Sequence, residues 1–370
     1  MKKENLEKAI KLRHELHKLA ELSGKEVKTR EYLMRFLKEN TSLDLVDRGL
    51  WFYAKYDANN PSEAIGYRAD FDAISVDETI DISYSSVTKG VSHKCGHDGH
   101  AATLVAFAME IDKQGADKDI YFVFQHAEEN GSGAEFASVI VDEANITEMY
   151  AFHNYPEIPF GEIGLKKGTV CFASMGMIIK LHGVSSHASE PEKGINPAYA
   201  VADIINSLSD YTDNKKNKGL VLATIVQVEV GEEAFGVSAH EGKLLLTIRA
   251  EKGNELKKLK EDLENRIKEE AEKYGLKYEI EYSDVFPETS NNDVIIEKIR
   301  SIALLNGYTV NDIKALRTSE DYGYFLQKTK GAMMWIGAGE ECPNLHSTDF
   351  DFNDDLIEYV ADLFMMIARS

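Results

Sequence analysis

The sequence predicts an α/β protein with a mainly parallel, mixed-sheet catalytic domain and an inserted ferredoxin-like domain. Three observations support this fold class. The first half of the chain alternates strand-like and helix-like segments, which is typical of a parallel sheet covered on both faces. A later segment follows the order β-α-β-β-α-β, which is that of the ferredoxin-like fold. The length of 370 residues exceeds one ordinary core, so two domains are expected.

The first half supplies most of the larger domain. Apolar spacing predicts helices over 4–21, 26–39 and 101–112, and strands over 51–56, 64–70, 119–129 and 149–155. In parallel sheets the functional residues gather at the carboxyl ends of strands. The predicted strands end at Asp70, at the acids Glu128 and Glu129, and at His153.

The second half begins with the inserted domain. Its strands and helices are predicted in the segments MGMIIKLHG, NPAYAVADIINSLSDY, GLVLATIVQVEVG, GVSAHEGKLLLTIRA, NELKKLKEDLENRIKEEAEKYG and KYEIEYSDVF. A helix over 293–307, a strand over 331–339 and a helix over 354–368 then return to the first pattern. The catalytic domain is therefore predicted as discontinuous, 1–174 and 286–370, around an inserted domain at 175–285.

Composition limits the function classes. The formal net charge of −21 argues against nucleic acids and acidic membrane surfaces as partners. The amino terminus is charged and has no apolar run of a signal peptide, and no uncharged apolar stretch of ~18 residues predicts a membrane span. Three widely spaced cysteines disfavour a disulfide framework. We expect a cytoplasmic protein.

Candidate metal ligands lie in several segments predicted as loops or strand ends. In SHKCGHDGHAA (92–102), Cys95 and His97 are one residue apart, so in a loop both could face one ion, and this ligand pair suits zinc. QHAEEN (125–130) adds one glutamate as a ligand and another as a general base. His153 and His346 follow in AFHNYP and PNLHSTDF. A single histidine is more often a packed or exposed residue than a metal ligand. The occurrence of all these candidate ligands in loops and strand ends of one domain, however, favours a metal site.

The motifs resemble the amidohydrolase branch of the metallopeptidases, which includes hippurate hydrolase, plant indole-acetyl-amino-acid hydrolases and N-acetyldiaminopimelate deacetylase. The resemblance runs nearly end to end. It rests on RHELHKLAELSGKEVKT, YRADFDAI, HKCGHDGHAA, QHAEEN, HGVSSHASEP and LHSTDFDFND, in that order. Lys94 stands beside Cys95 where the family has a small residue, which could place a cation close to the metals.

The resemblance implies a site with two divalent metal ions, zinc or manganese, with nickel or cobalt as further options. Cys95 would bridge the two ions, with His97 and His153 on one and Glu129 and His346 on the other. The remaining implied roles are Glu128 as general base, Asp72 as an acid that orients the site, His187 as a catalytic residue on the inserted lid domain, and Arg249 as the partner of a substrate carboxylate.

The predicted reaction is hydrolysis of the amide bond of an N-acyl amino acid, with an N-acetyl group as one case. N-acetyldiaminopimelate deacetylase is a specific form of this activity. A dipeptidase or aminopeptidase would use the same metals, and a catalytically silent metal-binding or partner-binding protein could keep the same fold. An exposed edge of the inserted sheet could pair with a second copy and form a homodimer.

Overall fold

The computed structural model describes all 370 residues, which divide into two compact units. The first unit contains Met1–Val170, Thr289–Lys314 and Asp321–Ser370, and the second contains Cys171–Glu288 and Ala315–Glu320. No helix is long and apolar enough to cross a membrane.

The first unit holds the larger sheet and most of the helices. Its strands are β1 Asp44–Asp47, β2 Phe52–Tyr56, β3 Ala64–Asp70, β4 Asp119–Gln125, β5 Ile146–Pro156, β6 Ile163–Leu165, β7 Gly168–Cys171, β12 Thr289–Asn291, β13 Val310–Asp312 and β14 Lys330–Gly339. Its helices are α1 Lys3–Leu19, α2 Val27–Asn40, α3 His97–Gln114, α4 Gly133–Ala137, α5 Val139–Glu143, α8 Asp293–Leu305, α9 Gly323–Leu326 and α10 Asp355–Ala368.

Eight of these strands form one mixed sheet, in the order β1-β2-β4-β3-β5-β14-β6-β13. The central pairs β4–β3, β3–β5 and β5–β14 are parallel, as is β6–β13, whereas β1–β2, β2–β4 and β14–β6 are antiparallel. β7 and β12 form a separate two-stranded sheet. The parallel centre brings the carboxyl ends of β3, β4 and β5 to one edge, where polar side chains can converge.

Helix α3 is the centre of the first core. Fifteen consecutive residues, His97 to Ile111, are buried, because the helix packs between the sheet and other helices. The Phe107 ring contacts the rings of Tyr67, Phe122 and Phe364 with centroids 4.6, 5.2 and 5.6 Å apart. A helix buried on all sides lies inside a domain, and this burial fixes the position of its amino terminus.

The second unit is a ferredoxin-like sandwich. Its elements are β8 Ala173–His182, α6 Ala198–Tyr211, β9 Val221–Val230, β10 Glu241–Ala250, α7 Gly253–Tyr274 and β11 Lys277–Phe286, with a 3₁₀ turn at Pro191–Lys193. The antiparallel sheet has the order β11-β8-β10-β9, which leaves β9 and β11 at the edges. Leucine and isoleucine side chains of α6, α7 and the sheet form a second core. The predicted fold class is therefore confirmed.

A short segment returns to the second unit after β13. Residues 315–320, which the predicted boundaries place in the catalytic domain, belong to the second unit. The main-chain N–H of Phe172 donates to the carbonyl oxygens of Leu316 and Thr318, at 3.2 and 3.1 Å. No periodic pattern in the sequence predicts these long-range main-chain hydrogen bonds.

Candidate metal centre

The Cys95–His97 segment lies at the amino terminus of α3. His97 is the first helical residue, so the prediction that both residues lie in a loop is wrong for His97. Gly96 between them has a φ of +98°. A Cβ at Gly96 would lie 2.5 Å from Asn154 Oδ1, so both conformation and space require glycine here. The turn at Gly96 directs the thiol and the imidazole towards one group of ligands.

Three buried side chains form the first ligand group. One ligand atom each of Cys95, His97 and His153 lies within 4.8 Å of the others. Cys95 Sγ is 3.5 Å from His153 Nε2, while His153 Nδ1–H donates to the main-chain oxygen of Asn154 at 2.7 Å. This hydrogen bond leaves Nε2 as the metal-binding atom. His153 lies within β5, three residues before the end of the strand.

Cys95 also belongs to a second group, with Glu129 and His346, whose ligand atoms again lie within 4.8 Å of one another. His346 Nε2 is 3.4 Å from Glu129 Oε1. The His346 side chain is 53% exposed, and its backbone has a φ of +65°. Left-handed backbone outside glycine is uncommon and clusters at functional sites. The structure thus brings together all five predicted metal ligands, and Cys95 is common to both groups.

Glu128 lies beside these ligands at the carboxyl end of β4. It is 6% exposed, and its Oε2 is 3.9 Å from His97 Nε2. The preceding Ala127 has a φ of +50°, and its N–H donates to Glu26 Oε1 at 2.8 Å. This turn, held by a buried carboxylate, allows two consecutive glutamates to face the same cleft although neighbours in a strand point to opposite faces.

Asp72 connects two of the ligands. Its Oδ1 accepts a hydrogen bond from His97 Nδ1 at 3.0 Å. Its Oδ2 accepts hydrogen bonds from Ser23 Oγ at 2.7 Å and from the main-chain N–H of Glu129 at 3.0 Å. The carboxylate therefore contacts both the His97 ring and the backbone of Glu129, and its role in orienting a metal site stays a prediction.

The electrostatics of the two groups favour a bound cation. Burial raises the pKa of the Cys95 thiol well above its usual value, and the Glu129 and Glu128 carboxylates raise it further. Burial alone would lower the pKa of His97, but Asp70, Asp72 and Glu129 raise it to about 10. The carboxylate contributions to both shifts reflect the negative charge of the surrounding acids. His97 Nε2 and Glu129 Oε1 are buried without a hydrogen-bond partner, as expected of atoms that coordinate a metal. The residues fit divalent ions.

Asp70 belongs to a buried network that the sequence did not reveal. Its carboxylate lies 2.6 Å from both Arg68 Nη1 and His100 Nδ1. Arg68 Nη2 contacts Asp321 Oδ1 at 2.9 Å, and Arg68 Nε contacts Gln125 Oε1 at 2.7 Å. Asp70, His97 and His100 also lie close enough together to hold an ion, but the Asp70 carboxylate is already engaged by Arg68 and His100. Asp321 lies 253 residues from Arg68, too far for a local pattern to signal.

The structure places His187 and Arg249 in the second unit. His187 is exposed, and its Nδ1 is 2.6 Å from Ser189 Oγ. Arg249 is half-buried near the end of β10, and its Nη1 donates to the carbonyl oxygen of Arg317 at 3.0 Å and to Ser319 Oγ at 2.7 Å. Their proposed contacts with substrate stay predictions.

Lys94 is fully buried beside Cys95. Its Nζ donates to Glu78 Oε1 at 2.6 Å and to the carbonyl oxygen of Phe350 at 2.8 Å. The Lys94 ammonium is therefore paired with the Glu78 carboxylate.

Residues 66–370 match the family model described as peptidase family M20/M25/M40. The chain is 29% identical over 367 residues to the N-acetyldiaminopimelate deacetylase of Exiguobacterium sibiricum, covering 97% of this chain and 98% of that relative. It is 29% identical over 363 residues to the enzyme of the same name from Bacillus subtilis, covering 95% of this chain and 96% of that relative.

Two solved structures share the fold. The YXEP protein of Bacillus subtilis, described as a dinuclear metal binding peptidase from the M20 family, has a TM-score of 0.83 at 23% identity and covers 100% of this chain and 98% of its own. The aminobenzoyl-glutamate utilization protein from Klebsiella pneumoniae has a TM-score of 0.75 at 16% identity and covers 99% of this chain and 96% of its own.

Proposed function

The chain belongs to peptidase family M20/M25/M40 and hydrolyses amide bonds, and we propose that its substrates are N-acyl amino acids. The family and the enzyme class predicted from the motifs are confirmed by this membership. The observation that supports the proposed chemistry most directly is the pair of ligand groups that share Cys95, with the Glu128 carboxylate beside them.

We assign the two groups to two divalent ions, with Cys95 between them. His97 and His153 would hold one ion, and Glu129 and His346 the other. The thiolate and imidazole ligands favour zinc, while the carboxylate leaves room for manganese, nickel or cobalt. Bound there, the ions would polarise the scissile carbonyl and lower the pKa of a water towards ~7.

Glu128 is the general base in this proposal. Its carboxylate lies at the edge of the ligand groups, 3.9 Å from His97 Nε2, where it can take a proton from the attacking water. The same carboxylate then returns that proton to the nitrogen of the leaving amine, so the amide C–N bond breaks and a carboxylate and a free amine are released. Asp72 holds His97 and Glu129 in place during this cycle.

The acyl group that we favour is acetyl. The two relatives named N-acetyldiaminopimelate deacetylase are 29% identical to this chain over nearly its whole length. N-acetyldiaminopimelate is therefore the first substrate to test among the N-acyl amino acids. We assign His187 to the donation of a hydrogen bond to the developing oxyanion and Arg249 to the free carboxylate of the substrate.

The proposal is tested by measuring free-amine release from N-acetyldiaminopimelate, other N-acyl amino acids and dipeptides. Metal-free protein is compared with protein to which zinc or manganese has been restored. We expect metal-dependent release from the N-acyl amino acids. Amine release from dipeptides alone would indicate a peptidase instead. No amine release from any of the compounds would contradict the proposal that the protein hydrolyses N-acyl amino acids.

We further propose that the protein is a cytoplasmic homodimer joined through the second unit. β9 lies at an edge of its sheet and exposes Ile225, Val226 and Val228, which are 42%, 60% and 49% accessible. An unprotected apolar edge strand readily pairs with another strand. Light scattering of the wild type and of Val226→Lys tests this: a wild-type monomer would refute the dimer.

A further inference from the structure

Lys94 connects the Cys95 segment to the segment that carries His346. Its main-chain oxygen accepts the N–H of His346 at 2.7 Å, and its ammonium donates to the carbonyl oxygen of Phe350 at 2.8 Å. One residue thereby holds both ends of the segment 346–350.

This segment needs such support. His346 has a left-handed backbone and a side chain that is 53% exposed, whereas Cys95, His97 and His153 are 7%, 0% and 5% exposed. An exposed ligand on a strained loop is held by fewer packing contacts than buried ligands on a helix or a strand. Its position depends more heavily on specific hydrogen bonds.

The charge of Lys94 is balanced independently of the metal site. Glu78, its partner at 2.6 Å, also accepts hydrogen bonds from His17 Nε2 and from the N–H of Ser86, both at 2.8 Å. Removing the ammonium would therefore leave the Glu78 carboxylate with two partners. The group that loses its donor is the carbonyl oxygen of Phe350, in the His346 segment.

We propose that Lys94 is a positioning residue that holds His346 in place for the ion shared by Cys95, Glu129 and His346. This inference rests on the proposed two-metal site. It predicts an asymmetric effect: loss of the Lys94 ammonium weakens that ion, while the ion held by Cys95, His97 and His153 keeps its affinity.

The test is a calorimetric titration of metal-free wild type, Lys94→Met and His346→Ala with zinc. Lys118→Met is the matched control, because Lys118 is also buried and its Nζ contacts a main-chain oxygen of Ser370 at 2.6 Å and Glu63 at 3.3 Å. Lys118 precedes β4, roughly 20 Å along the strand from its metal-site end.

We expect two ions in the wild type and in Lys118→Met. Lys94→Met should bind one of the two about 10- to 100-fold more weakly, as is typical when a residue that orients a ligand is lost. His346→Ala should affect the same ion, and the Lys94→Met/His346→Ala double variant should lose little more than His346→Ala alone. If Lys94→Met fails to fold, Lys94→Gln, which also lacks the ammonium, is titrated in its place with the same expected result.

The outcomes separate the two proposals. Wild-type affinities in Lys94→Met, together with loss of one ion in His346→Ala, would overturn the role of Lys94 and leave the two-metal site intact. Equal weakening of both ions in Lys94→Met would also overturn it, since Lys94 would then act on the whole fold. Two intact ions in His346→Ala would refute both the assigned ligand set and the inference built on it.

Discussion

Replacement of Asp72 by asparagine probes how the carboxylate orients the proposed metal ligands. Asparagine has the same shape but only one carbonyl oxygen. In the wild type, Oδ1 accepts from His97 Nδ1, and Oδ2 accepts from Ser23 Oγ and from the N–H of Glu129. In the variant the NH₂ group replaces either Oδ1 or Oδ2. At least one of the three donors then faces another donor, so the variant cannot satisfy all three.

Both orientations have a calculable cost. With NH₂ in place of Oδ1, His97 Nδ1–H opposes another donor and keeps only the main-chain oxygen of Asp72, at 3.1 Å. We then expect metal affinity to fall by about 10- to 100-fold. With NH₂ in place of Oδ2, the Ser23 hydroxyl can rotate to accept, but the Glu129 N–H is left unpaired, which costs about 1–3 kcal/mol of folding free energy.

The assay is zinc binding in competition with a chromophoric chelator, combined with urea denaturation of the metal-free protein. Asp112→Asn is the control, because Asp112 accepts from the N–H and hydroxyl of Ser42 at an exposed position. We expect Asp72→Asn to lose metal affinity or stability and the control to lose neither appreciably. Wild-type values for both quantities in Asp72→Asn would refute the orienting role of this carboxylate.

Four further outcomes are expected. Glu128→Gln should lower kcat by about 10²- to 10⁴-fold with both ions still bound, and an active variant would remove Glu128 as the base. Chelation should abolish amine release and added metal should restore it; activity in metal-free protein would contradict a metal-dependent reaction. Gly99→Ala should cost about 1–3 kcal/mol in a denaturation experiment, because its Cβ would overlap the Phe352 ring, and unchanged stability would refute that close packing. Burial alone would lower the pKa of His17, but Asp98 and Glu78 raise it to about 9. The contribution of protonated His17 to the free energy of unfolding is therefore complete below pH ~6.5 and is lost as the pH rises through 9. A stability difference between wild type and His17→Gln that does not shrink over this interval would contradict the ion pairs.

Strands with both faces buried could be predicted in position as well as in type. The segment 64–70 was predicted as a strand and forms β3 with the same bounds, because both of its faces are buried. β1, β6 and β13 have only three or four residues and were missed, since so few residues carry no periodic pattern. The start of α3 was placed too late because HDGH lacks apolar residues, although these polar side chains are buried in the structure.

That the proposed ligands Glu129 and His153 lie at one edge of the sheet could be predicted, because parallel strands bring their carboxyl ends together. Apart from Asp72, the residues that surround and support those ligands could not. Lys94 reaches Phe350 across 256 residues of sequence, and Arg68 reaches Asp321 across 253. Such pairings depend on how helices and loops pack around the sheet, which neither spacing nor periodicity encodes.

The insertion of the second unit into the first has a consequence for synthesis on the ribosome. Four of the five assigned ligands lie at or before His153, and His346 is translated about 190 residues later, which takes roughly 10–40 s at typical translation rates. During that interval the nascent chain has the complete ligand set for one ion and an incomplete set for the other. In the proposed two-ion site, the ligands of one ion are therefore synthesised before the ligand set of the other is complete, and β5 and α3 gain their packing partners β14 and α10 only after the inserted unit has been made.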